Sequence, residues 1–192
     1  MSSRIAALIL LSFLAACGGK SPPKNLNNAC SIVDQRPKYL KAFKATEKKW
    51  GVPVYVQMAV IYQESKFDGD ARTPHRYALG VIPMGRQSSA FGYAQALDGT
   101  WDDYKRAAGR PGASRKNIKD ATDFMGWYMT RTEQKLGISK TNVRDNYLAY
   151  HEGHGGYARG SYRSKSWLIG VANGLQTRSE TYKRQLQACG KI

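Results

Sequence analysis

Residues 54–68 read VYVQMAVIYQESKFD, and this stretch decides the fold that we expect. Val54, Met58 and Ile61 recur at helical spacing, which predicts a helix with a buried face. Glu64 falls near the end of that helix, just before the run FDGD. Because burial disfavours the charged form of a carboxyl group, Glu64 would stay protonated near neutral pH and could donate a proton. The alternative is a carboxylate on the solvated edge of its helix.

The N-terminus looks like a lipoprotein export signal. Residues 1–16 place Arg4 before a short apolar run, and Leu-Ala-Ala then leads into Cys17. We expect residues 1–16 to be removed, Cys17 to be acylated, and residues 17–29 to form a flexible tether rich in Pro and Asn. By the same resemblance, Gly18 rather than Asp after the cysteine fits sorting to the outer membrane of a Gram-negative bacterium. An ordinary secretory signal with a chance cysteine is the alternative.

Two further cysteines bracket the expected folded part, residues 30–192. Export would place Cys30 and Cys189 where disulfides persist. A bridge between them would close a loop long enough to stabilise the domain by roughly 4–5 kcal/mol in the chain-entropy model. Two unpaired buried thiols are the alternative. In either case these cysteines serve structure and not chemistry.

The charge balance is strongly basic. The chain has 30 Lys and Arg against 14 Asp and Glu, a net charge of +16. Such a field concentrates anionic partners without defining a fold. For an exported protein those partners are cell-wall peptides, anionic lipid and extracellular DNA. A solvated basic surface with no specific partner is the alternative.

Local signals predict a mainly α protein with a single domain. No sustained alternation that would build a large sheet is present, and residues 69–92 read as a long irregular loop. Helices are expected from Pro37 to Trp50, over 54–65, from Thr100 with Asp103 as a capping box, from an Asn117 cap to Gly137, from an Asn142 cap to the glycines at 153, 155 and 156, and from Ser166 to Cys189.

Three short segments carry the chemistry. They are QESKF at 63–67, SAFGYAQAL at 89–97 and NYLAYHEG at 146–153. In this order and spacing they resemble the lysozyme-like lytic transglycosylase (SLT) domain, related to goose-type lysozyme and glycoside hydrolase family 23. That family has a Glu-Ser pair ending a helix, then a Gly-Leu-Met-Gln loop, then an Ala-Tyr-Asn segment. The resemblance covers roughly residues 45–160 and implies a single lysozyme-like helical domain, with the long loop beside the active-site groove.

The resemblance also implies roles for the matching residues. Glu64 would act as acid and then base, and Ser65 would bind the sugar or orient Glu64. Gln95 would contact the glycan or the acid, and Tyr150 would lie near the Glu64 carboxyl and tune its proton affinity. Gly92 would let the backbone approach the substrate closely. The plainer alternatives are that Ser65 ends its helix, Gln95 ties down a loop and Tyr150 is a core aromatic.

Several residues depart from the family pattern. Tyr93 and the Ala after it replace Leu and Met, and His151 and Glu152 stand where Asn and a small residue are usual. This identifies a divergent branch, in which Tyr93, His151 and Glu152 would contact the glycan. Tyr93 and Tyr157 are the candidates for stacking on sugar faces, since aromatic rings offer flat apolar area.

Glu152 and its neighbours raise two other hypotheses. If Glu152 faces Glu64 across the cleft, the pair could support hydrolysis with water. His151 and His154 also invite a metal hypothesis, but they are three residues apart and only His75 could join them. That is unlike the i, i+4 helical pair of zinc proteases. We therefore expect no metal and no cofactor.

Together these features predict a monomeric, lipid-anchored lytic transglycosylase on the periplasmic face. The sorting signal places it at the outer membrane. It would cleave the bond between N-acetylmuramic acid and N-acetylglucosamine in peptidoglycan and leave a 1,6-anhydro product. We expect no specific nucleic-acid partner. The alternatives are a non-catalytic peptidoglycan-binding lipoprotein with the same fold, a hydrolytic muramidase using Glu64 and Glu152, and a basic polyanion-binding lipoprotein.

Overall fold

Seven α-helices and one β-hairpin make up residues 21–192, the part of the chain that the computed structural model describes. The expected leader at 1–16 and Cys17 lie outside the described residues. The mainly helical, single-domain fold predicted from the sequence is confirmed. The elements in order are α1 (Ala29–Gln35), α2 (Pro37–Trp50), α3 (Val54–Ser65), β1 (His75–Ala78), β2 (Ile82–Arg86), α4 (Asp98–Ala107), α5 (Ile118–Leu136), α6 (Val143–Ala158), a short 3₁₀ helix (Ser161–Ser164) and α7 (Ser166–Ala188).

Helix α3 is the centre of the core. It contacts α2, α6 and α7, and its apolar residues are buried on every side rather than along one stripe. A helix that is apolar all round is stable only when neighbours cover all of it. The neighbouring helices cover the run VYVQMAVI in this way. Its one amide side chain, Gln57, is also buried, and its Nε2 donates to the carbonyl oxygens of Phe43 and Val52 at 3.0 and 2.7 Å.

Helices α2 and α5 form the most extensive contact between two elements in the described chain. Gly126 of α5 lets the Trp50 indole lie directly against the helix backbone, where a Cβ would approach Trp50 Cδ1 to 2.3 Å. Asp123, one turn earlier, accepts hydrogen bonds from Lys49 Nζ and Trp50 Nε1 at 2.8 Å each and from the Tyr104 hydroxyl at 2.7 Å. This buried carboxylate therefore joins α2, α4 and α5.

The N-terminal end of the described chain is tied to α7. Cys30 in α1 and Cys189 after α7 form a disulfide, with their Cα atoms 6.5 Å apart. Residues 21–28, within the expected flexible tether, also dock on the domain. The backbone N–H of Lys24 donates to Gln35 Oε1 at 2.9 Å, and the Tyr182 hydroxyl donates to the Leu26 carbonyl.

Residues 69–92 are not wholly irregular, contrary to the sequence prediction. Strands β1 and β2 pair in antiparallel register, with Ala78 opposite Ile82, around a tight turn at Leu79-Gly80. The pattern concealed these strands because neither has a buried face: three of the four β1 residues and all five β2 residues are exposed. Burial on one face is what produces the usual alternation.

Two helix boundaries also differ from the prediction. Helix α4 begins at Asp98 and has no side-chain cap, so Thr100 and Asp103 lie inside it and form no capping box. Helix α6 continues to Ala158 across a kink at Gly153, whose φ of 71° lies in a region that glycine tolerates. The starts at Pro37, Asn117 and the helix after Asn142 are as predicted. Among residues 21–192, no helix has the length and apolar character needed to cross a membrane.

The α2–α5 contact can be tested with two glycine substitutions. Gly126→Ala should lower the free energy of unfolding by about 1–3 kcal/mol, because the new methyl group overpacks the Trp50 contact. Gly170→Ala is the matched control in exposed α7, where a Cβ meets no atom within 4 Å, and it should stabilise the protein by about 0.5–1 kcal/mol. Urea unfolding measures both. Equal effects of the two substitutions would contradict the packing described.

Candidate active site

The backbone that follows Glu64 is held in an unusual conformation. Lys66 and Phe67 have φ values of 52° and 63°, a left-handed region that costs bulky residues energy. The Lys66 N–H closes the helix on the Tyr62 carbonyl at 3.1 Å. Phe67 is fully buried and stacks on Tyr39 at a ring-centroid distance of 5.9 Å. This burial holds the turn, and the turn ends α3 one residue after Glu64.

Glu64 is the carboxyl group whose protonation the fold changes most. Glu64 as a residue is half-buried, but its carboxyl group is fully buried. Burial raises the pKa of Glu64 to about 8, while a hydrogen bond from Tyr147 and the positive charge of Lys66 act in the opposite direction. Burial prevails because desolvation of a carboxylate is costly. Glu64 is therefore mainly protonated at neutral pH.

Tyr147 of α6, and not Tyr150, makes the hydrogen bond to the Glu64 carboxyl. The Tyr150 hydroxyl instead donates to the Ala94 carbonyl at 2.5 Å. Tyr150 is close enough for the Glu64 charge to raise the pKa of its hydroxyl, but burial is the larger cause. Sequence reasoning missed Tyr147 because it read as a core residue on the same helix face, three positions before Tyr150.

Two cations surround Tyr62, next to the acid. Lys66 Nζ lies 3.9 Å and Arg178 Cζ 3.5 Å from the Tyr62 ring centroid, both within the range of cation–π contacts. The pKa of Lys66 is lowered, first by burial and then by the charge of Arg178. The charge of Lys66 still favours ionisation of Glu64. The site thus combines an acid that burial keeps protonated with a neighbour that can stabilise the carboxylate once the proton leaves.

Ser65 and Gly92 have their close contacts within the protein. The Ser65 hydroxyl is buried and donates to the Ile61 carbonyl at 3.2 Å, one turn back in α3. Gly92 has a φ of 77°, and a Cβ there would lie 2.2 Å from the Arg115 carbonyl oxygen. This backbone approach by itself requires a glycine. Ser65 likewise has a partner within its own helix.

Tyr93 and Gln95 also organise the second segment. Tyr93 is buried, with its hydroxyl 2.9 Å from that of Tyr39, so little of its ring is left exposed for stacking on a sugar. Gln95 Nε2 donates to the carbonyl oxygens of Ala71 and Gly92 at 2.9 and 2.8 Å. These bonds tie the loop to itself.

A groove of about 240 Å³ lies between the second and third segments. Tyr150 is common to the groove and to the surroundings of Glu64, so it joins the two parts of the candidate site. The groove gives a ligand a path beside α6. Its lining includes Gln95, Ala96, Leu97, Thr100, Phe124, Tyr128, Tyr150, His151, Glu152 and Gly153.

Glu152 differs from Glu64 in the groups that contact its carboxyl oxygens. One carboxylate oxygen accepts from Lys165 Nζ at 2.7 Å and lies 3.0 Å from His151 Nδ1, and the other accepts from the Ser161 hydroxyl. The Lys165 bond, with support from Ser161 and His151, lowers the pKa of Glu152 to about 2. Glu152 is therefore an ionised carboxylate whose two oxygens are both engaged.

The remaining predicted residues have other partners. His151 packs edge-on against Trp167 at 5.3 Å, and Tyr157 stacks on Tyr162 at 5.0 Å. His154 Nε2 lies 2.9 Å from the Thr132 hydroxyl. In the part of the chain that the structure describes, no three His, Cys, Asp or Glu residues form a group able to hold a metal.

Comparison with models of protein families gives a match over nearly the whole chain. A family model described as "Transglycosylase SLT domain" matches residues 5–189, nearly the whole chain. No curated protein matches the chain. The helical architecture agrees with a single lysozyme-like domain of this family, and the family implies binding to peptidoglycan. The chain therefore belongs to the transglycosylase SLT-domain family.

Proposed function

We propose that this protein is a lytic transglycosylase that cleaves the bond between N-acetylmuramic acid and N-acetylglucosamine in peptidoglycan. The observation that carries the proposal is the burial of the Glu64 carboxyl group at the end of α3 beside Tyr147, which raises its pKa to about 8. A general acid works best when its pKa is close to the working pH. Family membership supports the substrate class.

In the first step, protonated Glu64 donates its proton to the glycosidic oxygen that leaves N-acetylmuramic acid. The bond from C1 to that oxygen breaks, and positive charge develops on the sugar. Tyr147 and Lys66 stabilise the carboxylate that Glu64 becomes, because both favour its charged form. This stabilisation grows as the proton leaves and so acts on the transition state.

In the second step, the Glu64 carboxylate takes the proton from the C6 hydroxyl of the same sugar. The C6 oxygen bonds to C1 and closes the 1,6-anhydro ring. Glu64 regains its proton, and no water is consumed. One carboxyl group thus serves as acid and then as base, so a second free carboxylate is not needed.

The state of Glu152 argues against the hydrolytic alternative. Retaining and inverting hydrolases need a second carboxylate as nucleophile or base. Both oxygens of Glu152 are already bonded, to Lys165 and His151 on one side and to Ser161 on the other. A carboxylate held in this way and with a lowered pKa is a weak base. We assign Glu152 to shaping the groove wall.

The cellular setting is part of the proposal. We propose that Cys17 carries a lipid anchor and that the mature protein faces the periplasm from the outer membrane. The net charge of +16 would hold the protein near the anionic wall. A monomer suffices for the mechanism, since Glu64, Tyr147 and Lys66 all belong to one chain.

The second candidate function is peptidoglycan binding without turnover. Ser65, Gly92, Tyr93 and Gln95 all have contacts inside the protein. A chain with this fold could therefore keep a glycan groove while losing the reaction. Binding that survives Glu64→Gln, together with no product from the native protein, would favour this candidate.

Glu64→Gln should lower the rate of anhydro-muramyl product formation from peptidoglycan sacculi by at least about 10²–10⁴-fold, because the glutamine cannot donate a proton. Mass spectrometry of the soluble products measures this. Glu152→Gln is the matched control and should still give anhydro products. Reducing-end products from the native protein, lost in Glu152→Gln, would establish hydrolysis and overturn the proposal.

The pH profile provides a second prediction. Activity needs protonated Glu64, so kcat/KM should fall as pH rises through about 8. Tyr147→Phe removes a hydrogen bond that favours the carboxylate, and it should move this limb to higher pH. Tyr150→Phe should leave the limb in place, since its hydroxyl bonds to the Ala94 carbonyl. A limb that stays fixed in Tyr147→Phe would show that another group controls it.

The raised pKa also predicts a pH effect on stability. The folded protein holds the Glu64 proton up to about pH 8, whereas the unfolded chain releases it near 4.5. The stability from this proton is therefore full below pH 4.5 and is lost as pH rises through about 8. Glu64→Gln should become progressively more stable than the native protein over that interval. Urea unfolding at several pH values measures this, and a constant difference would contradict the assignment.

A further inference from the structure

The hairpin of β1 and β2 exposes an unusual amount of apolar surface. Of the eight large apolar side chains exposed among residues 21–192, five lie within this one hairpin. The exposed fractions reach 91% for Leu79 and 75% for Val81. A contiguous apolar patch of this kind is typical of an interaction site. The five residues are Tyr77, Leu79, Val81, Ile82 and Met84.

The backbone of Leu79, at the tip of the hairpin, is also strained. The Val81 N–H bonds to the Ala78 carbonyl at 3.1 Å, and the two turn residues between them, Leu79 and Gly80, have φ values of 51° and 75°. A turn with two positive φ values favours Asn or Gly. Leu79 therefore combines backbone strain with nearly complete exposure of an apolar side chain. Strain of this sort points to a function.

Basic side chains lie behind the apolar tip. Residues 71–97 contain Arg72, Arg76 and Arg86 and not one Asp or Glu. Within residues 21–192, none of these arginines forms an ion pair with a carboxylate. All three are exposed. The hairpin thus presents an apolar end followed by positive charge.

We propose that this hairpin inserts its tip into the surface of a bilayer that contains anionic lipid. Arg76 precedes Leu79 by three residues, which at a strand rise of about 3.3 Å per residue places it roughly 10 Å behind the tip. Arg86 pairs with His75 at the same end of the hairpin. Apolar faces of interfacial segments enter a membrane by about 5–10 Å. The arginines would then lie level with the lipid phosphates.

The side-chain types favour lipid over glycan. Sugars stack on flat aromatic faces, but only Tyr77 among the five exposed apolar residues is aromatic. Leu79, Val81, Ile82 and Met84 are aliphatic or thioether side chains, which suit acyl chains. Positive charge beside an apolar tip is complementary to an anionic headgroup layer. The insertion is separate from acylation at Cys17 and would add a second attachment, which a single acyl chain needs for stable binding.

Leu79→Asn is the variant that tests this inference. The helices, the hairpin and the core that the structure describes lie within residues 21–192, so a chain of residues 18–192 keeps them without the leader or Cys17. We expect this protein to sediment with vesicles of equal parts phosphatidylglycerol and phosphatidylcholine. Leu79→Asn should bind them about tenfold more weakly, because one leucine side chain no longer leaves water. It should also be at least as stable to heat, because Asn suits the turn.

Charge alone cannot produce this result, because Leu79→Asn keeps the net charge. Ile192→Asn is the matched control, an exposed apolar residue away from the hairpin, and it should bind like the native protein. Unchanged peptidoglycan cleavage by Leu79→Asn would separate this inference from the proposed function. Three results would overturn it: no vesicle binding by the native protein, equal binding by Leu79→Asn, or a dimer in solution that Leu79→Asn abolishes.

Discussion

The candidate site depends on one constraint, the placing of a carboxyl group at the end of a helix that is buried on all sides. Helix α3 has α2, α6 and α7 packed around it, so its last turn lies against the core. Glu64 in that turn loses much of its hydration, and its pKa rises to about 8. The left-handed turn at Lys66 and Phe67 ends the helix one residue after Glu64, so that the carboxyl group stays against the core.

The rest of the fold holds this arrangement together. The Phe67 ring, stacked on Tyr39, secures the turn, and Tyr39 contacts Tyr93 in the second segment. The Tyr150 hydroxyl joins α6 to Ala94 in the same segment. Tyr39 and Tyr150 thus connect the three segments that resemble the family. Several residues that produce the resemblance serve these internal contacts. Gly92 and Gln95 are examples, because their contacts within the protein explain them without a ligand.

Local chemistry made some elements predictable. Pro37, Asn117 and Asn142 mark helix starts through backbone geometry and side-chain caps, which do not depend on the rest of the fold. The hairpin at β1 and β2 was concealed because its residues are exposed on both faces. The choice between Tyr147 and Tyr150 as partner of Glu64 depends on the rotation of α6 against α3, and no local pattern contains that information.

The protonation states of the two carboxyl groups of the site are likewise not predictable from local sequence. The sequence named Glu64 as the acid and left open whether Glu152 faces it as a second carboxylate. Their opposite protonation follows from burial in one case and from Lys165 and Ser161 in the other. These partners are 13 and 9 residues from Glu152 along the chain, and the kink at Gly153 lies between.

The most direct test of the central claim is a ¹³C NMR titration of the Glu64 carboxyl carbon, assigned by the loss of its signal in Glu64→Gln. Our account predicts a midpoint near pH 8, so that the group is mainly protonated at neutral pH. A midpoint near 4.5, the ordinary value for this carboxyl, would contradict the account, because Glu64 would then have no proton to donate under working conditions.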